Sequence, residues 1–106
     1  MRQLPPVKAL AIFEAVGRHL SVTRAAVELS LTPSAVSQQL NLLETALGVS
    51  LFLRQHRQLV LTEAGARLLA PMTEAMQLMR EAVRRLDQTR TAHVLAVRVV
   101  PSFASN

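Results

Sequence analysis

The chain has 106 residues, only three aromatics and no cysteine, and its formal net charge is +5. Half of the residues are apolar, which excludes a disordered chain and calls for a core built from Leu, Val and Ala. The lack of cysteine excludes disulfide staples and thiolate metal sites and fits a reducing compartment. Eleven of the twelve basic residues are Arg, the side chain that can fork onto phosphate or base edges, although a high-GC coding bias gives the same excess.

The opening stretch "MRQLPPVKALAIFEAVG" has a basic start and a short apolar run. Glu14 and the Pro5-Pro6 pair break it as a signal peptide. No run approaches the ~18 apolar residues of a membrane span, so the expected location is cytoplasmic, with no membrane partner. Pro5 and Pro6 give an extended lead-in, and a first helix begins near Val7. It places Leu10, Phe13 and Val16 on one side, and Gly17 is expected to end it. Ser21 can cap a second helix with an apolar stripe of Val22, Ala25, Ala26 and Leu29. That helix ends near Ser30. Thr32 can cap the next one, with Pro33 at its first position. A gap this short makes two helices cross steeply, so residues 21–40 read as a helix-turn-helix. The third helix runs to Leu47, with Gly48 as its stop.

Next, "LFL" and "LVL" flank the polar centre "RQHRQ", a short hairpin or wing. It has no glycine for the tightest turns, so the expected loop is four or five residues long. Thr62 can cap a fourth helix over 63–90, with Glu63 in its first turn. In it Leu68, Met72, Ala75, Met79, Ala82 and Leu86 recur at 4, 3, 4, 3, 4, an a/d repeat. Leu69, Met76 and Val83 widen the stripe. Pro71 is expected to kink this helix or remove one hydrogen bond. In the tail, residues 91–106, Val94 to Val99 read as a buried strand with no partner strand in the chain, the start of a second domain. The expected fold class is therefore mainly α: a winged helix-turn-helix head over 5–62, a long helix, and a truncated strand at the end.

The third helix carries the sharpest signal. Val36, Leu40, Leu43 and Leu47 form its buried stripe, while Ser34, Ser37, Gln38, Asn41 and Thr45 form a face of hydroxyls and amides without charge. A solvated face is usually built from Glu, Lys and Arg. A face that enters the major groove avoids carboxylates, which phosphates repel, and favours groups that donate or accept to base edges. Glu44, one turn further on, is expected to lie beyond the DNA and to pair with Arg54.

With these residues in view, the stretch "LSVTRAAVELSLTPSAVSQQLNLLETALGVSLFLRQHRQLVLTEAG" resembles the winged helix-turn-helix head of LysR-type transcriptional regulators. The matching residues are Phe13, Ser21, Arg24, Ala25, Ala26, Leu29, Ala35, Ser37, Leu43, Glu44, Leu47, Gly48, Leu51, Phe52, Arg54, Arg57, Leu61, Thr62 and Gly65. The resemblance covers about residues 5 to 90. The tail "VRVVPSFAS" is similar to the first strand of the effector-binding domain in the branch related to the glycine-cleavage activator. The resemblance implies major-groove contacts from Pro33, Ser34, Ser37 and Gln38, a minor-groove contact from Arg57, and phosphate contacts from Ser21, Thr23, Thr32 and Arg54. The chain departs from the family where Gln38 replaces a frequent Arg, where Pro33 replaces a frequent Gln, and where His56 and Gln58 stand in place of glycines beside the wing arginine.

A Met and Leu stripe is most often plain core. Here the head of about 60 residues has too little surface to cover a helix of ~27 residues and ~40 Å, whereas a second copy covers it by symmetry. The resemblance likewise implies a homodimer through an antiparallel linker helix, with Leu68, Met72, Ala75, Met76, Met79, Ala82, Val83 and Leu86 at the interface. It also implies that the full-length protein can reach a tetramer and that a small-molecule effector binds only in the missing domain. His19, His56 and His93 have no ligand spacing, so no metal and no cofactor are expected. No paired carboxylates, nucleophile with a base, or Gly-rich phosphate loop supports an enzyme. The competing readings are a MarR-like winged-helix repressor, disfavoured by the element order, and a helical interaction module that dimerises without binding DNA.

Overall fold

A computed structural model describes residues 3–97, with side chains described as far as residue 90. In chain order the elements are α1 (Val7–His19), α2 (Val22–Leu29), α3 (Pro33–Leu47), β1 (Phe52–Gln55), β2 (Gln58–Leu61) and α4 (Glu63–Val97). This is a mainly helical winged helix-turn-helix, the expected architecture. The chain divides into two compact units, Met1–Glu74 and Ala75–Asn106.

In the first unit α1, α2 and α3 pack around Phe13, Ile12, Val16, Ala25, Ala26, Val36, Leu40 and Leu43, all buried, with Leu51 closing the core from the loop before the wing. Full burial of one such large aliphatic or aromatic side chain is worth roughly 1.5–3 kcal/mol. Ala25 and Ala26 present almost no side-chain bulk, so α2 comes close to its neighbours. The helix starts are set by their caps. Ser21 Oγ accepts from Arg24 N at 3.1 Å, and Thr32 Oγ1 accepts from Ala35 N at 3.1 Å, with Pro33 in the first turn. Gly48, at φ +73, ends α3 as expected.

Gly17 does not end α1. The helix runs on to His19, and Leu20 takes the left-handed conformation (φ 50) that closes it, its N–H donating to Val16 O at 2.7 Å. Gly17 is buried within the helix, where an added Cβ would lie 2.7 Å from Leu69 Cδ1. The glycine is there for close approach to α4, not for a turn.

The wing differs from its expected form. β1 and β2 are antiparallel in the register Phe52↔Leu61, Leu53↔Val60, Arg54↔Leu59 and Gln55↔Gln58. Only His56 and Arg57 remain in the loop, so it has two residues instead of four or five. Both have positive φ (52 and 65), the pattern of the tight turn whose twist matches that of the strands. Glycine is favoured in this turn but is not obligatory when the flanking ladder holds the backbone.

Thr62 joins the wing to α4. Its hydroxyl accepts from Gly65 N at 3.0 Å as a cap and donates to Ser50 O at 2.6 Å, while its own N–H donates to Leu51 O at 3.0 Å. Ala64, Leu68, Leu69 and Met72 of α4 pack against the core. The helix passes through Pro71, which has no N–H to give to the carbonyl one turn back. It then continues past the expected end at 90 to Val97. Residues 94–97 are therefore helical where a strand was expected. Thr91 to Val97 contain no Gly or Pro, and adding one residue to an existing helix is easier than starting a strand without a partner. The rest of the expected strand, from residue 98 on, lies outside the described residues.

Candidate nucleic-acid interface

The uncharged face of α3 forms a shallow open concavity lined by Pro33, Ser34, Ser37, Gln38, Asn41, Leu42 and Thr45. All seven residues are exposed. The buried stripe Val36, Leu40 and Leu43 on the opposite side anchors the helix, so this face turns away from the core. All four residues expected to meet bases thus share one surface. Asn41 and Thr45 were legible as part of the neutral face. Leu42, four residues after Gln38, falls on this face by helical spacing, but a reading by polarity passes it over.

A second concavity is lined by Leu20, Ser21, Val22, Thr23, Arg54, Arg57, Gln58 and Leu59. It brings the start of α2 against the wing and places Ser21, Thr23, Arg54 and Arg57 together. Two guanidinium groups stand there with no carboxylate among the lining residues, so the surface is electropositive and suited to phosphate. Ser21 Oγ accepts from Arg24 N, and its hydroxyl proton can still be donated. Thr32 is exposed at the start of α3 and lines neither concavity. Arg57 stands at the wing tip, where the turn fixes its backbone. Leu20 and Gln58 complete the surface. Only the folded wing reveals their part in it, since the sequence distance between α2 and β2 carries no sign of contact.

Glu44 was expected to pair with Arg54. Its Oε2 instead accepts from Leu51 N at 2.7 Å and Phe52 N at 3.3 Å. These two amides at the entrance to β1 offer a carboxylate fixed, converging donors that a mobile exposed guanidinium cannot match. The negative charge is thereby turned away from the α3 face and ties α3 to the wing. Phe52 also packs its ring on Phe13, with centroids 5.5 Å apart at a tilt of 50°.

A polar cluster links the helices behind the interface. Arg18 Nε donates to the buried carboxylate of Glu14 at 2.6 Å, and Arg18 Nη2 donates to Glu28 Oε2 at 2.5 Å. His19 Nε2 lies 2.7 Å from Glu28 Oε1, and Thr73 Oγ1 donates to Glu14 Oε2 at 3.2 Å. Hydrogen bonds from Arg18, then His19, hold the Glu28 carboxyl well below its usual range, at about 2, while Arg18 is held more firmly protonated. The cluster joins α1 to α2 and to α4. Among the described residues, no group of His, Cys, Asp and Glu converges to hold a metal. No helix there is long and apolar enough to cross a membrane.

The family model for bacterial regulatory helix-turn-helix proteins of the lysR family matches residues 7–66. The chain belongs to the LysR family. Residues 7–66 are its DNA-binding helix-turn-helix domain. Among curated relatives, the chain is 45% identical over 103 residues to the glycine cleavage system transcriptional activator of Escherichia coli, covering 97% of this chain and 34% of that protein. It is 44% identical over 104 residues to the carbapenem-hydrolyzing beta-lactamase transcriptional activator of Enterobacter cloacae, covering 98% of this chain and 35% of that protein. The chain thus spans about a third of the length of the curated relatives it matches. Among solved structures, the CbnR DNA-binding domain in complex with DNA superposes with a TM-score of 0.65 at 31% identity, covering 84% of this chain and 99% of that one. OxyR of Corynebacterium glutamicum (a C206 mutant) superposes with a TM-score of 0.74 at 27% identity, covering 83% of this chain and 28% of that one.

Proposed function

We propose that this LysR-family chain reads double-stranded DNA as a homodimer. Pro33, Ser34, Ser37 and Gln38 meet base edges in the major groove, Arg57 enters the minor groove, and Ser21, Thr23, Thr32 and Arg54 hold phosphates. The observation that carries this reading is the pairing of an uncharged α3 face with an arginine-bearing concavity beside it. Phosphate contacts supply position and salt dependence, and base-edge contacts supply sequence. The relative solved in complex with DNA supports the same use of the domain. The curated relatives are named transcriptional activators, which supports control of transcription, in the cytoplasm where the chromosome lies. A small-molecule effector belongs to a domain outside these residues.

Dimerisation rests on α4. Leu68 and Met72 are half-buried against the head, and Ala75 and Met76 are partly covered. Met79, Val83 and Leu86 are 42%, 58% and 70% exposed, and Ala82 is exposed between them. A second copy of α4 is the partner whose stripe has the matching spacing. Replacing Met79 and Leu86 by Glu places charge in that seam and should give monomers by sedimentation. A double mutant that stays dimeric refutes the seam.

The DNA reading is tested by titrating Arg57→Ala and Gln38→Ala on a selected site and on scrambled DNA. Arg57→Ala should weaken binding to both and lower the salt slope by about one unit. Gln38→Ala should cost ~1–3 kcal/mol on the preferred site only. Equal loss on both DNAs from Gln38→Ala removes that residue from base reading. An interaction module without DNA would show no gel shift and no salt slope.

A further inference from the structure

Leu42 is the large aliphatic side chain on the otherwise polar α3 face, and it is 57% exposed. It takes no part in the stripe Val36, Leu40 and Leu43 that α3 buries. Single exposed leucines are ordinary on protein surfaces. What distinguishes this one is its company: Pro33, Ser34, Ser37, Gln38, Asn41 and Thr45 share its concavity, and none carries a charge. Leu42 stands one helical turn beyond Gln38 on the same side of α3. In the major groove the apolar feature offered by base pairs is the C5 methyl of thymine.

We propose that Leu42 is a specificity-determining residue that packs on a thymine methyl group. The inference rests on the reading of α3 as the base-reading helix. Four residues of helix rise span about 6 Å, so the thymine falls within a few base pairs of the pair met by Gln38. The contact is apolar and neutral. It favours thymine over cytosine or uracil without adding to the salt dependence. A 5-methylcytosine at that position presents the same methyl group and satisfies Leu42 equally.

The test uses the whole chain and a duplex selected by it from a randomised pool. Each thymine of the selected site is replaced in turn by deoxyuridine, which removes only the methyl. The wild-type chain should lose about four-fold in affinity at one thymine per half-site, the effect of one apolar carbon removed from contact. Leu42→Ala should bind the thymine and deoxyuridine forms of that position equally. It should keep the wild-type response at the other positions, the wild-type salt slope and the wild-type melting temperature. A Leu42→Ala profile identical to that of wild type overturns the proposal, as does a change of oligomeric state on Leu42→Ala. If the pool yields no preferred site for the wild-type chain, the base-reading role of α3 fails first, which separates the two outcomes.

Discussion

The helix-turn-helix and the wing both place non-glycine residues in left-handed backbone, but they hold them in different ways. Between α2 and α3 the strained residue is Ser30, at φ 57, and the bonds that hold the turn are its own. Ser30 N reaches Val27 O at 3.3 Å, Leu31 N reaches Ala26 O at 2.9 Å, and Ser21 and Thr32 cap the two helices. In the wing His56 and Arg57 are both left-handed, at a cost of roughly 1–2 kcal/mol per residue. The wing is secured from outside: by the Glu44 carboxylate of α3, by the Phe13 ring of α1, and by Thr62 and Gly65 at the start of α4. The turn before α3 is thus held by local chemistry, and the arginine-bearing wing by contacts from α1, α3 and the start of α4. The wing is the part that a remote substitution can move.

Gly65 offers the strongest way to break this comparison. A Cβ there would lie 2.1 Å from Leu51 O, the backbone carbonyl that accepts from Thr62 N. Gly65→Ala should cost about 3 kcal/mol, the upper end for overpacking, read as a lower urea midpoint at unchanged slope. Gly17→Ala meets only the tip of Leu69, which can turn aside, and gains helix propensity, so it should cost far less. Similar losses at both sites would contradict a wing held by tight backbone docking.

Removing the carboxylate should have the next largest effect. Glu44→Ala leaves the amides of Leu51 and Phe52 without an acceptor and should cost about 2 kcal/mol. Amide exchange sharpens the point. Leu51 and Phe52 should exchange faster, while Arg24 and Ala35, bonded to the caps Ser21 and Thr32, keep their wild-type rates. Uniform acceleration would mean that the two regions do not stand apart. Glu44→Gln keeps an acceptor oxygen and should recover part of the loss.

A smaller gain is expected at the wing tip. His56→Gly relieves left-handed strain but raises the entropy of the unfolded chain, for a net stabilisation of about 0.5 kcal/mol. A thermal melt reads it, and a lower melting temperature would show that the turn is not the strained part.

The smallest effect concerns the tie between α1 and α2. With its carboxyl held at about 2 in the fold, Glu28 adds stability above its usual titration range, and that stability disappears as the pH falls toward 2. The ion pair is about one-third open to solvent, so screening keeps its contribution small. Denaturant midpoints of wild type and Glu28→Gln should therefore differ slightly at neutral pH and converge near pH 2. A difference that persists there would point to packing in place of charge.

What the sequence determined by itself was set by short-range chemistry. Ser21, Thr32 and Thr62 mark helix starts because a cap hydroxyl meets an amide three residues away. The α3 stripe and its neutral face are legible because helical spacing repeats within the segment. Only the tertiary structure decided the rest. Gly17 looked like a stop, and it is the site where Leu69, 52 residues later, comes close to α1. Glu44 looked like a partner for Arg54, and it binds two amides brought beneath it by the folding back of the chain. The wing looked too poor in glycine for a two-residue turn, until a four-pair ladder and outside contacts held His56 and Arg57 in place. Leu42 stood outside the apolar stripe of α3, and the packing of that helix leaves it exposed on the neutral face. In each case the deciding contact is made across a turn or between elements, and local residue order does not write it.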